Sequence, residues 1–332
     1  MTDEQMRLRY AGTCRLCSNS LPAGTTAIYE RTTRTTRCLE CTSPEPNPAA
    51  SAAVSAAPAG APATSSPVAT PPPSERIVGD ALRRRPPAAA VITETLRVQA
   101  TAPPRSGVAR LFGLTPLSRA SQSWYVGAIG ELEVANVLDR LGAGWRVVHA
   151  IPVGSAGSDI DHVVVGPGGV FTLNTKYHEG QSVWVASKRV LVAGQRTDHL
   201  RNARHEARRA AKLLTQAVHR PVEVRPIIAI VAARQVTFKE RPTDVSVLRS
   251  AQLARWLHRQ PTVFSSEDID GLARAISDPQ TWGTITPAEP DLVAFATLRE
   301  SVAAARRRRR GWGAGILALP VVGIAVFQLG PF

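Results

Sequence analysis

Apolar positions recur at two different spacings along the second half of the chain. From Gln122, "QSWYVGAIGELEVANVLDRLG" has the spacing of a helix, and Ser121 before it is a typical helix N-cap. The segments "WRVVHAI", "IDHVVVG" and "GVFTLNTK" are short, rich in β-branched residues and separated by turn sequences such as "GPGG", which predicts strands. "SVWVAS" and "RVLVAG" predict a further hairpin.

A second long helix is predicted from Thr197 or Asp198, and "VRPIIAIVA" after it is a near-continuous apolar run typical of a buried strand. Further helical segments are predicted at Ser250–Arg259 and Ser266–Ser277. The order of helix, three-stranded sheet, helix and strand predicts an α/β fold. The apolar positions of the second helix have the spacing of a helix packed on a sheet: Leu200, Ala203, Ala207, Ala210, Leu214 and Ala217.

Composition divides the chain into five parts. Residues 1–42 contain all four cysteines, and 43–117 are rich in Ala, Pro and Ser with few large apolar residues, which predicts a disordered linker. The α/β pattern occupies 118–280. A linker with a polybasic run follows at 281–310, and 311–332 is uncharged.

The cysteines occur as two Cys-x-x-Cys pairs, Cys14 with Cys17 and Cys38 with Cys41, separated by twenty residues. Two such pairs can close one tetrahedral Zn(II) site, so we predict a small zinc ribbon stabilised by metal more than by core burial. A redox pair is the alternative, but it usually begins a helix in a larger thioredoxin-like unit. The ribbon can bind nucleic acid or a protein partner.

The C-terminal segment is long enough to cross a membrane. Gly311–Phe332 comprises 22 uncharged residues, close to the roughly 20 that a spanning helix needs. The five arginines of Arg306–Arg310 would stay in the cytosol, and Trp312 would lie at the interface. Because Met1 to Tyr10 lacks the apolar core of a secretory signal, we expect a cytoplasmic main body with a single-pass membrane helix; a buried or surface-lying helix is the alternative.

The chain has a formal net charge of +14, which favours polyanionic partners such as nucleic acid or an anionic membrane face. One basic stripe on the second long helix can follow a phosphate backbone, although a solvated helix face is the alternative. Its members are Arg201, Arg204, Arg208 and Lys212.

Two strands carry candidate catalytic residues. Asp159 and Asp161 are two apart and share one face, as do Asn174 and Lys176 on the next strand. If these strands pair through "GPGG", the acidic end of one meets the "NTK" end of the other. Carboxylates that hold Mg(II) or Mn(II), with a lysine for the phosphate, suit phosphodiester cleavage. Glu131, beside the apolar stripe of the first helix, is a further candidate ligand.

These segments resemble the NERD, or nuclease-related, domain, which is grouped with the PD-(D/E)XK nucleases. The resemblance rests on Gly130 and Glu131, on Asp161 and His162, and on Lys176, and covers roughly residues 120–230. It implies a restriction-endonuclease-like core in which Glu131 and Asp161 are acidic metal-site residues and Lys176 the basic residue.

Asn174 departs from the pattern of that family, which has Glu or Asp two residues before the lysine. The amide removes one charge from the metal site, and Glu131 or Asp159 can make up the missing ligand. We expect a divalent-metal-dependent nuclease at the cytoplasmic face of a membrane. The alternatives are an inactive module of the same fold that binds nucleic acid or a membrane-associated protein, and a tethered adaptor.

Overall fold

The computed structural model describes residues 4–7, 12–14, 20–21, 24–30, 35–39, 41, 82–153, 158–283 and 289–328. The chain divides into two compact units, Met1–Val68 and Ala69–Phe332. The first unit contains short strands in two sheets: β1 pairs with β4 and β4 with β5, while β2 pairs with β3, all antiparallel. Their bounds are β1 Glu4–Arg7, β2 Gly12–Thr13, β3 Ser20–Leu21, β4 Thr26–Glu30 and β5 Thr35–Arg37.

In its described residues the second unit is a mixed α/β structure with two further sheets. Its strands are β6 Arg146–Val153, β7 Ser158–Gly166, β8 Gly169–Tyr177, β9 Ser182–Ala186, β10 Arg189–Val192, β11 Gln195–Thr197, β12 Val224–Val231, β13 Gln235–Phe238 and β14 Ser246–Arg249. Its helices are α1 Ala89–Ala100, α2 Gly107–Leu111, α3 Arg119–Leu138, α4 His199–Val218, α5 Leu253–His258, α6 Ser266–Ser277 and α7 Leu292–Gln328. Short 3-10 turns occupy Ser250–Gln252 and Pro279–Trp282.

The larger sheet has the strand order β14-β12-β8-β7-β6. Strands β6, β7 and β8 are antiparallel neighbours, whereas β12 and β14 run parallel to β8. The predicted hairpin is confirmed: Gly166 pairs with Gly169 across a turn of Pro167 and Gly168, and the Trp145 ring covers Gly166 so closely that no side chain fits there. This turn fixes the register that brings the acidic end of β7 to the "NTK" end of β8.

Helices α3 and α4 cover opposite faces of this sheet. Val164 packs in one core with Leu138 of α3, whereas its neighbour Val163 packs in another with Leu214 of α4. Neighbouring residues of a strand point to opposite faces, so the sheet is buried between the two helices. The smaller sheet, in the order β11-β10-β9-β13, packs through Val183 and Val190 beside the start of α4.

The predicted linker ends earlier than 117. From Leu82 the chain is part of the second unit: Arg85 Nε donates to the carbonyl of Ala150 (2.8 Å), and α1 and α2 follow. Helix α1 forms because its alanines favour helix and because Ile92 packs with Tyr125 of α3 in a core of its own. The rest of the predicted linker, 43–81, lies outside the described residues.

The predicted transmembrane helix at 311–332 is wrong. Within the residues that the structure describes, no helix combines the length and the apolar character needed to cross a bilayer. Gly311 continues α7, whose Phe295 packs against Tyr125, and the arginine run therefore belongs to this helix rather than to a linker. Trp312, predicted to lie at a membrane interface, instead donates from Nε1 to the carbonyl of Leu111 (2.9 Å).

Candidate functional site

Strands β7 and β8 part at the end where the candidate residues lie. Their backbone pairing stops at His162 and Leu173. Beyond that pair, β7 stays paired with β6 as far as Ser158, while β8 stays paired with β12 as far as Tyr177. The opening between the strands, called the fork here, carries Asp159, Asp161, Asn174 and Lys176.

Asp161 occupies the point where the fork begins. Its Oδ2 accepts a 2.6 Å hydrogen bond from the backbone N–H of Thr175, a donor in β8 beyond the last pair of the β7–β8 ladder. Removal from water raises the pKa of Asp161, while Lys176 and the Thr175 N–H act in the opposite direction. The side chain is therefore fixed in direction by the backbone of the neighbouring strand.

Glu131 reaches the same region from α3. The preceding Gly130 allows this, because a Cβ there would lie 3.1 Å from Tyr177 Cβ and 3.3 Å from Thr175 Cγ2. Glu131 is only 5% exposed, and its Oε2 is buried without a hydrogen-bond partner among the described residues. Burial, followed by Asp161 and Asp159, raises the pKa of Glu131 well above its ordinary value, and Lys176 lowers it.

Lys176 lies within electrostatic range of all these acids. The pKa of Asp159 is raised to about 6, first by burial and then by the charge of Asp161, while Lys176 acts in the opposite direction. The Asp159 Oδ2 is also buried without a hydrogen-bond partner in the described part of the chain. The predicted residues Glu131, Asp159, Asp161 and Lys176 are thus brought into one electrostatically coupled group.

Asn174 is hydrogen-bonded to Glu206, a residue that the sequence analysis did not single out. The Asn174 Nδ2 donates to Glu206 Oε1 of α4 at 2.6 Å. The pKa of Glu206 is raised to about 7, chiefly by burial and also by Asp161 and Asp159, while the amide of Asn174 and Lys176 act in the opposite direction. Glu206 is the sole acid in the sequence of α4, amid basic residues and next to the apolar Ala207, and that isolation is the signal that could have pointed to it.

His162 faces away from the fork. It is 0% exposed, and its Nδ1 lies 2.8 Å from Nδ1 of His149, the residue opposite it on β6. Burial lowers the pKa of both rings, that of His149 to about 4. His162 is thus a buried, hydrogen-bonded histidine of the core.

Helix α3, strands β6 to β8, helix α4 and strand β12 follow one another in the chain. Glu131 lies on α3, the fork residues lie on β7 and β8, and Glu206 lies on α4. Residues 126–232 match the nuclease-related domain family, NERD. The match covers about a third of the chain and includes every fork residue, so the resemblance is confirmed for this segment. Neither the curated proteins nor the solved structures contain a significant match to the chain.

The matched segment has a cavity of about 410 Å³ beside the fork. Asp159 and Glu206 line it together with Arg201, Arg208 and Arg209 of α4. Of the other two residues of the predicted basic stripe, Arg204 makes a two-pronged ion pair with Asp244 (2.6 and 2.8 Å), and Lys212 is exposed farther along α4. The stripe is therefore divided, and Arg201 and Arg208 are its members that border the acidic site.

The cysteines of the first unit form a compact cluster. Cys38 Sγ lies 3.3 Å from Cys41 Sγ, and Cys14 Sγ lies 3.9 Å from Cys41 Sγ. The corners of a tetrahedral zinc site with four thiolates lie about 3.8 Å apart. Cys14, Cys38 and Cys41 can therefore hold a metal ion, and in the described part of the chain they are the one set of three such ligand atoms within 4.8 Å of one another. Cys17 lies outside the described residues.

The fork offers a different ligand chemistry. Its acids supply only oxygen atoms, of which Glu131 Oε2, Asp159 Oδ2 and Glu206 Oε2 are buried without a hydrogen-bond partner among the described residues. Among the described residues, no three of these acids bring one oxygen each within 4.8 Å of one another, as the three cysteine sulfurs do. Buried carboxylate oxygens of this kind fit Mg(II) or Mn(II), which prefer oxygen ligands.

Proposed function

We propose that the protein hydrolyses phosphodiester bonds of nucleic acid with a divalent cation bound at the fork. The observation that carries the proposal is the convergence of Glu131, Asp159 and Asp161 on Lys176, within a segment that matches the nuclease-related domain. Burying several acids beside one lysine is costly unless a ligand uses them, so the arrangement supports a binding role over a structural one.

Each fork residue has a role that its surroundings support. Glu131, Asp159 and Asp161 hold the cation, and the Thr175 N–H keeps Asp161 directed into the fork. A bound cation of this class supplies Lewis acidity for an attacking water and for the phosphate oxygens. In the hydrolysis the water oxygen bonds to phosphorus and gives one proton to solvent, while the bond to the leaving nucleoside oxygen breaks and that oxygen takes a proton from solvent. The ammonium of Lys176 offsets negative charge on the phosphate.

The nucleic acid is guided by the arginines that border the cavity. Arg201 and Arg208 are exposed and line it beside Asp159. Arginine side chains bind phosphate oxygens without reading a base sequence, so we propose a backbone contact here. We also propose that Cys14, Cys17, Cys38 and Cys41 hold a structural Zn(II) ion in the first unit.

The test is cleavage of labelled single- and double-stranded DNA and RNA by the full-length protein with Mg(II), Mn(II) or EDTA. We expect cleavage that needs the metal and is lost in Asp161→Asn and Lys176→Gln, while Lys188→Gln, which changes an exposed residue of a hairpin turn, leaves it intact. Metal-independent binding with no cleavage of any substrate would contradict the proposal and favour an inactive binding module.

A further inference from the structure

The fork lacks an acid at the strand position two residues before Lys176. Asn174 occupies that position and is only 6% exposed. Its Oδ1 is buried without a hydrogen-bond partner among the described residues. An amide oxygen can bind a cation, but it contributes no charge, so another acid is needed to keep the charge of the site.

Glu206 lies where such an acid is needed. Its Oε1 accepts from Asn174 Nδ2 at 2.6 Å, and its carboxylate interacts electrostatically with Asp161, Asp159 and Lys176. It approaches from α4, on the sheet face opposite to the face that α3 covers. The carboxylate thus lies beside the amide in space although it is 32 residues away in sequence.

A purely structural role for Glu206 would explain the hydrogen bond of Oε1 but not the burial of Oε2. The hydrogen bond that Asn174 Nδ2 donates requires a single acceptor oxygen, which Oε1 provides. The Oε2 atom is also buried and has no hydrogen-bond partner in the described part of the chain. A glutamine at 206 would accept the same hydrogen bond without burying a charge, so the acid is costly unless Oε2 has a ligand.

We infer that Glu206 supplies the anionic oxygen ligand that Asn174 lacks and thereby completes the divalent-cation site of the fork. The inference rests on the proposed function, since it concerns the same cation. Asn174 holds the Glu206 carboxylate in place through Nδ2, and Oε2 is the oxygen left for the cation. The acid of the nuclease pattern has in effect been moved from β8 to α4.

The experiment measures Mn(II) binding to the full-length, zinc-supplied protein by electron paramagnetic resonance and calorimetry, with no substrate present. Glu206→Gln keeps the shape and the hydrogen-bond acceptor but removes the charge, so we expect the Kd for Mn(II) to rise at least about tenfold. The double variant N174E/E206Q returns the carboxylate to β8, and we expect its Kd to come back to within about threefold of wild type. Exposed Glu240→Gln controls for the loss of one negative charge.

Rescue by the double variant separates a ligand from a merely structural residue, because a general packing defect at 206 would not be repaired by a charge at 174. Tight Mn(II) binding by wild type and equally tight binding by Glu206→Gln would overturn this inference and leave the proposed function standing. Failure of wild type to bind Mn(II) would overturn both. Loss of binding in Glu206→Gln without rescue in the double variant would also overturn it, since the carboxylate would then act at 206 for another reason.

Discussion

Asp161 Oδ2 accepts a hydrogen bond from the backbone N–H of Thr175, just beyond the last paired residues of β7 and β8. The carboxylate therefore satisfies a main-chain donor that the parting of the strands would leave unpaired. One side chain serves both the integrity of the sheet and the candidate cation site, and the two roles respond differently to substitution.

Asp161→Asn and Asp161→Ala separate these roles. The asparagine keeps an acceptor for Thr175 N–H and removes a buried charge, so we expect a free energy of unfolding equal to or above that of wild type. The alanine leaves the donor unsatisfied and should lower it by about 1–3 kcal/mol. Urea unfolding measures both, and equal stability of the two variants would show that the hydrogen bond contributes nothing.

Gly130→Ala should disturb the approach of α3 to β8. The new Cβ would meet Tyr177 Cβ at 3.1 Å, so the helix must shift by a few tenths of an ångström, taking Glu131 with it. We expect a loss of about 1–3 kcal/mol in stability and weaker Mn(II) binding. Gly127→Ala is the control on the same helix: nothing lies within 4 Å of its Cβ, and it should gain about 0.5–1 kcal/mol.

The histidine pair of β6 and β7 predicts acid sensitivity. The pKa of His149 falls from 6.5 to about 4 on burial, so the unfolded chain binds the proton first as the pH falls. The stability due to a neutral His149 is present above pH 6.5 and is lost progressively toward pH 4, a change of about 3 kcal/mol.

Unfolding experiments between pH 7 and 4 check this dependence. His149→Gln should have a shallower loss of stability over that range, because it has no ring to protonate. His219→Asn, at an exposed position with a left-handed backbone (φ 54°) that asparagine tolerates, controls for the loss of a histidine. An unchanged pH profile in His149→Gln would contradict the assignment.

The arginines of α4 should differ in their contribution to nucleic-acid binding. Arg208→Gln removes an exposed charge beside the cavity, so we expect weaker binding and a salt slope reduced by about 1, measured by fluorescence anisotropy in EDTA. Arg204→Gln should have a smaller effect, because that guanidinium is bound to Asp244. Equal effects of the two would indicate a diffuse electrostatic attraction rather than a path along the cavity.

The cysteine cluster should hold one zinc ion per chain. Cys38→Ser removes one thiolate from the cluster, at a residue whose backbone N–H donates to Cys14 Sγ (3.2 Å). We therefore expect loss of bound zinc and of hydrogen-exchange protection in β4. Elemental analysis and hydrogen exchange measure the two. Residues 126–232 should keep their protection, and a zinc content unaffected by the substitution would contradict the assignment.

The local parts of this structure were predictable from sequence. The turn "GPGG" and the β-branched residues on both sides of it fixed the β7–β8 hairpin, and the stripe from Leu200 to Leu214 fixed which face of α4 is buried. Helix α1 was missed because Ala and Pro dominate the composition of its surroundings, although alanine also favours helix once Ile92 has a core to join.

The site itself was predictable only in part. Alternation along β7 and β8 was enough to bring Asp161 and Lys176 together, because a hairpin is a local structure. Glu206 depends on which turn of α4 lies over Asn174, and that is set by packing across the sheet rather than by any spacing in the chain. The C-terminal segment was wrongly predicted to cross a membrane because the prediction rested on its lack of charged residues. The contacts of Trp312 with Leu111 and Phe112 cannot be read from the sequence.

The hydrogen bond between Asn174 and Glu206 has an evolutionary consequence. If one carboxylate is shared between two positions, substitutions at these positions are not independent of each other. Related chains with Glu or Asp at the strand position should have a neutral residue at the helix position, and those with Asn on the strand should keep an acid on the helix. A search that requires the acid two residues before the lysine would then discard active members. Selection would preserve a negative charge at one position in space, whichever element supplies it, rather than an acid at one position in the sequence.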